Sequence, residues 1–210
     1  VQLKSVAVIA VPVALQNLLT TTGSMIDTMM IAPLGETSVG AVGLCAQFTS
    51  LMFACYWGFV GGGMLFFAQY FGAKDDDGIN HSYGLTLCCM MTVAFTFALT
   101  ALLAPSFIMG IYTDKVAIQQ VGISYLKVVG FAYPMQVLSM AMSALLRSTG
   151  RVRIPLFGAL ASVATNVFLN WVLIYGNLGM PVMGIQGAAL ATGLTVAGVL
   201  LLICALAALP

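Results

Sequence analysis

Charged residues are nearly missing from this sequence. Its 210 residues include 7 Lys or Arg and 6 Asp or Glu, 6% in all, where a soluble domain carries about 25%. That scarcity excludes an ordinary water-facing surface, and a formal net charge of +1 provides no basic field for a nucleic-acid partner. Histidine is reduced to His81, in a polar stretch, so no histidine metal cluster can be assembled. The five cysteines, Cys45, Cys55, Cys88, Cys89 and Cys204, fall within apolar runs and lack metal or redox spacing. They read as free, small apolar side chains, not a disulfide framework. Low-complexity linkers are missing too, so residues 1–210 read as one unit.

What the chain has is apolar length: 61% hydrophobic residues and a mean hydropathy of +1.06. Apolar runs occur at roughly 6–32, 39–71, 84–109, 119–147, 154–176 and 184–208, each reaching the roughly 20 residues a spanning helix needs. The fold class expected is therefore an all-α polytopic bundle of six transmembrane helices, since barrel strands are shorter and alternate in polarity. The first run is too long for a cleaved signal and contains Asp27. The start at Val1 and the stop at Pro210 read as cut ends.

Lys4, Lys74, Arg147, Arg151 and Arg153 precede the first run or lie in the second and fourth connections, whereas Lys115 and Lys127 lie near the third. The positive-inside rule predicts both ends of the segment in the cytoplasm. The longest polar stretch, Gly72 to Ser82, is expected to be a solvated loop; its Asp75 and Asp77 imitate part of a calcium loop, but Ala73 and Gly84 stand where acids are required. In the second run, Gly58 and Gly62 have the spacing of a close helix contact. Pro12 and Pro134 are candidate bending points because each removes a helical hydrogen bond.

The polar residues inside the runs carry the functional argument. Pro12, Gln16, Thr20, Ser24 and Asp27 follow at spacings of four, four, four and three, one face of a helix. A carboxylate at the centre of an isolated span costs about 2.5–3.5 kcal/mol, so this face should look into protein or water. No Lys or Arg shares its depth, which leaves Asp27 free to pass between protonated and charged forms, as proton or cation coupling requires. Asn166 and Asn170 are four apart in the fifth run at a similar depth and are candidate partners. Tyr133, Gln136, Ser139 and Ser143 from the fourth run, and Gln186 and Thr192 from the sixth, complete the outline of a polar cavity. The blander reading of the two asparagines is interhelical glue, each bond contributing about 0.6 kcal/mol.

Several elements in order along the chain resemble the amino-terminal half of a multidrug and toxic compound extrusion (MATE) transporter. They are Pro12 with Ile26-Asp27-Thr28, Leu34-Gly35 followed by Gly40 to Leu44, Ala68 to Ala73, Leu146-Arg147 with Gly150 to Pro155, Asn166 to Asn170, and Gly184 to Thr192. The resemblance implies one six-helix lobe of a secondary antiporter that expels cationic amphiphilic compounds against a sodium or proton gradient. It makes Asp27, with Asn166 and Asn170, the coupling site, with a possible sodium ion at Asp27. Gln16, Thr20, Ser24, Tyr133, Gln136 and Thr192 become residues of the substrate path. An amide at Asn170, where one branch of the family has an acid, favours the NorM-like branch over the DinF-like one. The partners implied are the bilayer, a small organic cation, and a second six-helix lobe in the same chain or in another copy. The location implied is a prokaryotic plasma membrane.

Two other readings stay open. A lipid-linked oligosaccharide flippase shares the broader architecture but lines its cavity with cations, and here only Lys127 lies within a run. A structural half that binds nothing without its partner is the other. Enzymatic activity is not expected, since Ser24 has no histidine at its depth and Asp27 has no second acid in any run.

Overall fold

The computed structural model describes residues 2–208, with side chains from residue 10 onward. Val1, Leu209, Pro210 and the Lys4 side chain counted above lie outside the described residues. The described chain is a bundle of α-helices without a strand. In order these are α1 (Gln2–Ile31), α2 (Glu36–Ala73), α3 (Asp76–Leu103), α4 (Pro105–Tyr112), α5 (Val116–Val129), α6 (Tyr133–Ser148), α7 (Arg153–Leu173) and α8 (Ile185–Ala208). By length and composition, five stretches can cross a membrane: α2, α3, the combined α5–α6 stretch Val116–Ser148, α7, and Gly184–Ala208. α1 has 30 residues, and its described part carries the Gln16 to Asp27 polar face that lowers its hydropathy. With α1 as the sixth span, this is one lobe of the expected architecture.

Local chemistry sets the breaks. Gly35 adopts φ +96° between α1 and α2, a conformation suited to glycine. Pro105 opens α4 after α3 ends, because the residue before a proline is pushed out of the helical region. The expected span 84–109 is thus two helices, α3 and the short α4. Between α5 and α6 the backbone tightens into a 3-10 turn at Gly130–Ala132. Pro134, the second residue of α6, has no N–H to return to the preceding turn. α1, by contrast, continues as helix through Pro12.

Two expectations are corrected. The polar stretch 72–82 is not a long loop: only Lys74 and Asp75 separate α2 from α3. Asp75 caps α3 by accepting from the Gly78 N–H at 2.9 Å, and Asp76 and Asp77 in the first turn complement the helix dipole. Side chains that cap a helix are the same ones that favour loops, so the acidic triplet reads either way in one dimension. His81 is in that same helix, exposed, with Nδ1 2.8 Å from the Asp77 carbonyl oxygen. The second correction concerns Gly58 and Gly62, which face outward with nothing within 4 Å of an added Cβ. The close approach in α2 is at Gly63, where a Cβ would lie 2.7 Å from Thr86 of α3.

The main core lies among α2, α3, α5 and α6, with Met52, Tyr56, Met90, Leu126, Tyr133 and Val137 fully buried in it. α1, α7 and α8 form the other side of the lobe. Their shared end is held by Tyr175 Oη donating to the Met30 carbonyl at 2.8 Å and by Ile31, Ile174 and Ala188 packed together. There Gly187 lets α8 reach the backbone of α7: a Cβ would sit 2.5 Å from the Leu173 carbonyl oxygen. Gly187→Ala should therefore lower the melting temperature in detergent by the equivalent of about 2 kcal/mol or more, whereas Gly61→Ala, with open space around it, should leave it unchanged or raise it slightly.

Candidate functional site

A cavity of about 430 Å³ opens between the two sides of the lobe. α1 contributes Gln16, Thr20, Ser24 and Asp27, so the polar face of the first helix does look inward. α6 contributes Gln136, Ser139 and Ser143, α7 contributes Ser162 and Asn166, and α8 contributes Thr192. Phe53 and Tyr125 supply aromatic wall.

Glycine again sets the approach. A Cβ on Gly23 would lie 2.8 Å from Val163 Cγ2, so its absence lets α1 settle on α7. One turn further along α1 comes Asp27. On α7 a step of three from Val163 gives Asn166, and a further step of four gives Asn170. Asn170 Nδ2 donates to Asp27 Oδ1 at 2.6 Å and to Asn166 Oδ1 at 3.1 Å. Sequence residues 143 positions apart thereby become one hydrogen-bonded group. Asn170 is fully buried and stands behind Asp27 and Asn166, not on the cavity wall. Its Oδ1 has no partner among the described residues.

The remaining polarity is weighted toward acceptors. Thr20 Oγ1 donates to the Gln16 carbonyl at 2.9 Å, and Thr192 Oγ1 to the Ala188 carbonyl at 3.1 Å. With their protons engaged on the preceding turn, these hydroxyls keep only lone pairs for the cavity. Asp27 is the one charged residue among the described lining residues. A carboxylate, an amide oxygen and two hydroxyl oxygens beside two aromatic rings suit a cation, inorganic or organic. The unpartnered Asn170 oxygen fits the same chemistry, because a buried acceptor next to a carboxylate is complemented by a proton on the acid or by a bound cation.

Tyr133 departs from expectation. It is fully buried in the main core, 3.0 Å from Thr49 Oγ1, and does not line the cavity. Neither Pro12 nor Pro134 lines it. Missed from the sequence were Phe53, Tyr125, Met140 and Ser162. Ser162 was within reach, since it is four residues before Asn166 and extends the Asn166–Asn170 face by one turn. Phe53 carries no local signal in a run that is apolar throughout.

A family model described as MatE matches residues 12–172. The probable multidrug resistance protein YoeA of Bacillus subtilis is 27% identical over 190 residues, 90% of this chain and 41% of that protein. The probable multidrug resistance protein NorM of Burkholderia pseudomallei is 29% identical over 191 residues, 90% of this chain and 40% of that protein. Among solved structures, a MOP superfamily transporter from Pyrococcus furiosus superposes with a TM-score of 0.86 at 23% identity, covering 98% of this chain and 45% of that one. An outward-facing multidrug resistance MATE family transporter gives the same score and identity, with the same 98% and 45% coverage. The chain thus spans somewhat less than half the length of the relatives it matches.

Cysteine accessibility separates wall from core. In a background without the five native cysteines, Gln136→Cys and Ser162→Cys should react readily with a water-soluble thiol reagent, while Tyr133→Cys and Asn170→Cys should react at least ~10-fold more slowly because they are shielded by packing.

Proposed function

The chain belongs to the MatE family, the multidrug and toxic compound extrusion transporters, and forms one lobe of that fold; from this premise we propose that it takes part in cation-coupled antiport of organic cations, with Asp27 as the coupling residue. The observation that carries the proposal is the Asp27–Asn170–Asn166 hydrogen-bonded group beside a cavity in which Asp27 is the one charge among the described lining residues.

In this reading the carboxylate of Asp27 alternately holds an organic cation and the coupling ion, a proton or sodium. Asn166 and Asn170 position it: one amide donor holds Oδ1, and the Asn166 oxygen supplies a further acceptor. Protonating the carboxyl or neutralising it with sodium removes the charge that retains the substrate. The same event changes the bond that ties α1 to α7, so charge and helix packing are coupled at one place. Gln16, Thr20, Ser24, Gln136 and Thr192 form the polar path, and Phe53 and Tyr125 accept the apolar part of the substrate.

Alternating access needs a second surface. The chain covers about 40% of the multidrug resistance relatives, and transporters built from two similar halves enclose their sites between them. The second lobe therefore comes from the same polypeptide or from another copy. We place both ends of this segment on the cytoplasmic side of a prokaryotic plasma membrane, because Lys74 and the Arg147, Arg151 and Arg153 cluster stand at the two junctions that alternation puts at one end of the lobe. The flippase reading fares worse: no Lys or Arg stands among the described lining residues, whereas a sugar pyrophosphate calls for cations.

The complete polypeptide in liposomes tests this. Asp27→Asn should insert and purify normally yet lose export of a cationic dye under an imposed gradient, falling to the rate of protein-free vesicles; running sodium and proton gradients separately identifies the coupling ion. Export unchanged by the substitution sinks the assignment.

A further inference from the structure

A second, small cleft between α2 and α6, which shares Met140 with the cavity, is lined by Tyr56 and Arg147; the Tyr56 hydroxyl and Arg147 Nε are buried with no partner among the described residues. Tyr56 is fully buried, and its ring is held edge-on against Phe53 with centroids 5.2 Å apart, so the hydroxyl cannot turn out to water. Arg147 occupies the last turn of α6, partly buried, and no hydrogen bond or ion pair joins its guanidinium to another described residue. A cation and a hydroxyl left unpaired in an apolar setting are costly, and together they ask for an anion with more than one oxygen. A phosphate answers both, since one of its oxygens can accept from the phenol and from Nε–H while another accepts from the outer guanidinium N–H.

The surroundings narrow the source. Val60, Met64 and Met140 wall the cleft, and Trp57 borders it with 54% of its surface exposed. An apolar wall beside an exposed indole is the setting of the bilayer interface, not of a hydrated loop. Arg147 is also close in sequence to Arg151 and Arg153, the basic end of the lobe, where helix-bounded cationic pockets meet lipid headgroups. The enclosed space is about 20 Å³, room for one water or one phosphate oxygen. The anion must then seat at the mouth with a single oxygen directed inward, which suits a headgroup whose chains remain in the membrane.

We propose that Tyr56, Trp57 and Arg147 form a binding site for the phosphodiester headgroup of an anionic membrane lipid. The site is distinct from Asp27 and its asparagines, although Met140 borders both spaces, and it does not rest on the transport reading. It gives the α2–α6 contact a dependence on lipid charge.

The test uses the complete polypeptide in neutral detergent, with melting temperature followed against added phosphatidylglycerol, phosphatidylcholine or inorganic phosphate. Phosphatidylglycerol should stabilise at a concentration at least ~10-fold below phosphatidylcholine, and inorganic phosphate should be without effect at equal phosphorus. Arg147→Gln should weaken the phosphatidylglycerol response about 10-fold, the range expected for a lost charged hydrogen bond, and Tyr56→Phe should weaken it less. Should Arg147→Gln not fold, Arg147→Lys keeps the charge but removes the fork and Nε–H, and should still reduce the response. Equal responses to the two lipids, or a phosphatidylglycerol response that survives both arginine substitutions, overturn the proposal. A response to inorganic phosphate as strong as that to phosphatidylglycerol overturns the lipid assignment in favour of a free anion. Loss of lipid-free stability in the arginine variants, with no lipid response in the native protein, overturns it in favour of an acidic partner elsewhere in the polypeptide.

Discussion

The hydrogen bond from the Asn170 amide to the Asp27 carboxylate joins α1 to α7, two helices on the same side of the cavity. A carboxylate placed against hydrocarbon is costly, so the whole polar face of α1 must turn toward protein. Gly23 permits the approach that this requires, and Asn170 receives the carboxylate. The other polar residues of α1, Ser24, Thr20 and Gln16, one, two and three turns away on the same face, are carried into the cavity by that single orientation.

The lobe divides its work between its two sides. α6 belongs to both: Tyr133, Val137, Ala141 and Ala144 are buried, while Gln136, Ser139, Met140 and Ser143, spaced three, one and three apart, line the cavity. The 3-10 turn before Pro134 sets the rotation of this helix relative to α5, and so decides which face looks where. Close packing among α2, α3, α5 and α6 gives a firm wall. α1 meets chiefly α7, so it is held to the lobe mainly along one neighbour.

Both notable sites share one physical signature, a buried polar atom without a partner among the described residues: the Asn170 oxygen in one, the Tyr56 hydroxyl and Arg147 Nε in the other. Inside a low-dielectric interior such atoms are expensive. The two sites ask for opposite charge, a cation at the carboxylate and an anion at the guanidinium.

Much of this architecture was legible in one dimension. Apolar runs long enough to span, the inward polar face of α1, and Asn166 and Asn170 as candidate partners of Asp27 follow from hydropathy, from helical periodicity and from the cost of an isolated charge, all of which act over a few turns of one helix, whereas the contact itself is tertiary. Other features were not legible. Asp75 to Asp77 serve equally as loop or cap, and only the path of the chain into α3 decides. Tyr133 and Gln136 are both polar-tipped residues near the same proline, yet the tight turn sends one to the core and the other to the cavity. Tertiary structure alone brought Phe53 and Tyr125 to the cavity wall, gave Asn170 the donor's place behind Asp27, and set Tyr56 beside Arg147. These outcomes depend on how whole helices rotate and approach, and that is fixed by the summed packing of residues far apart in the chain, not by the local pattern of any one segment.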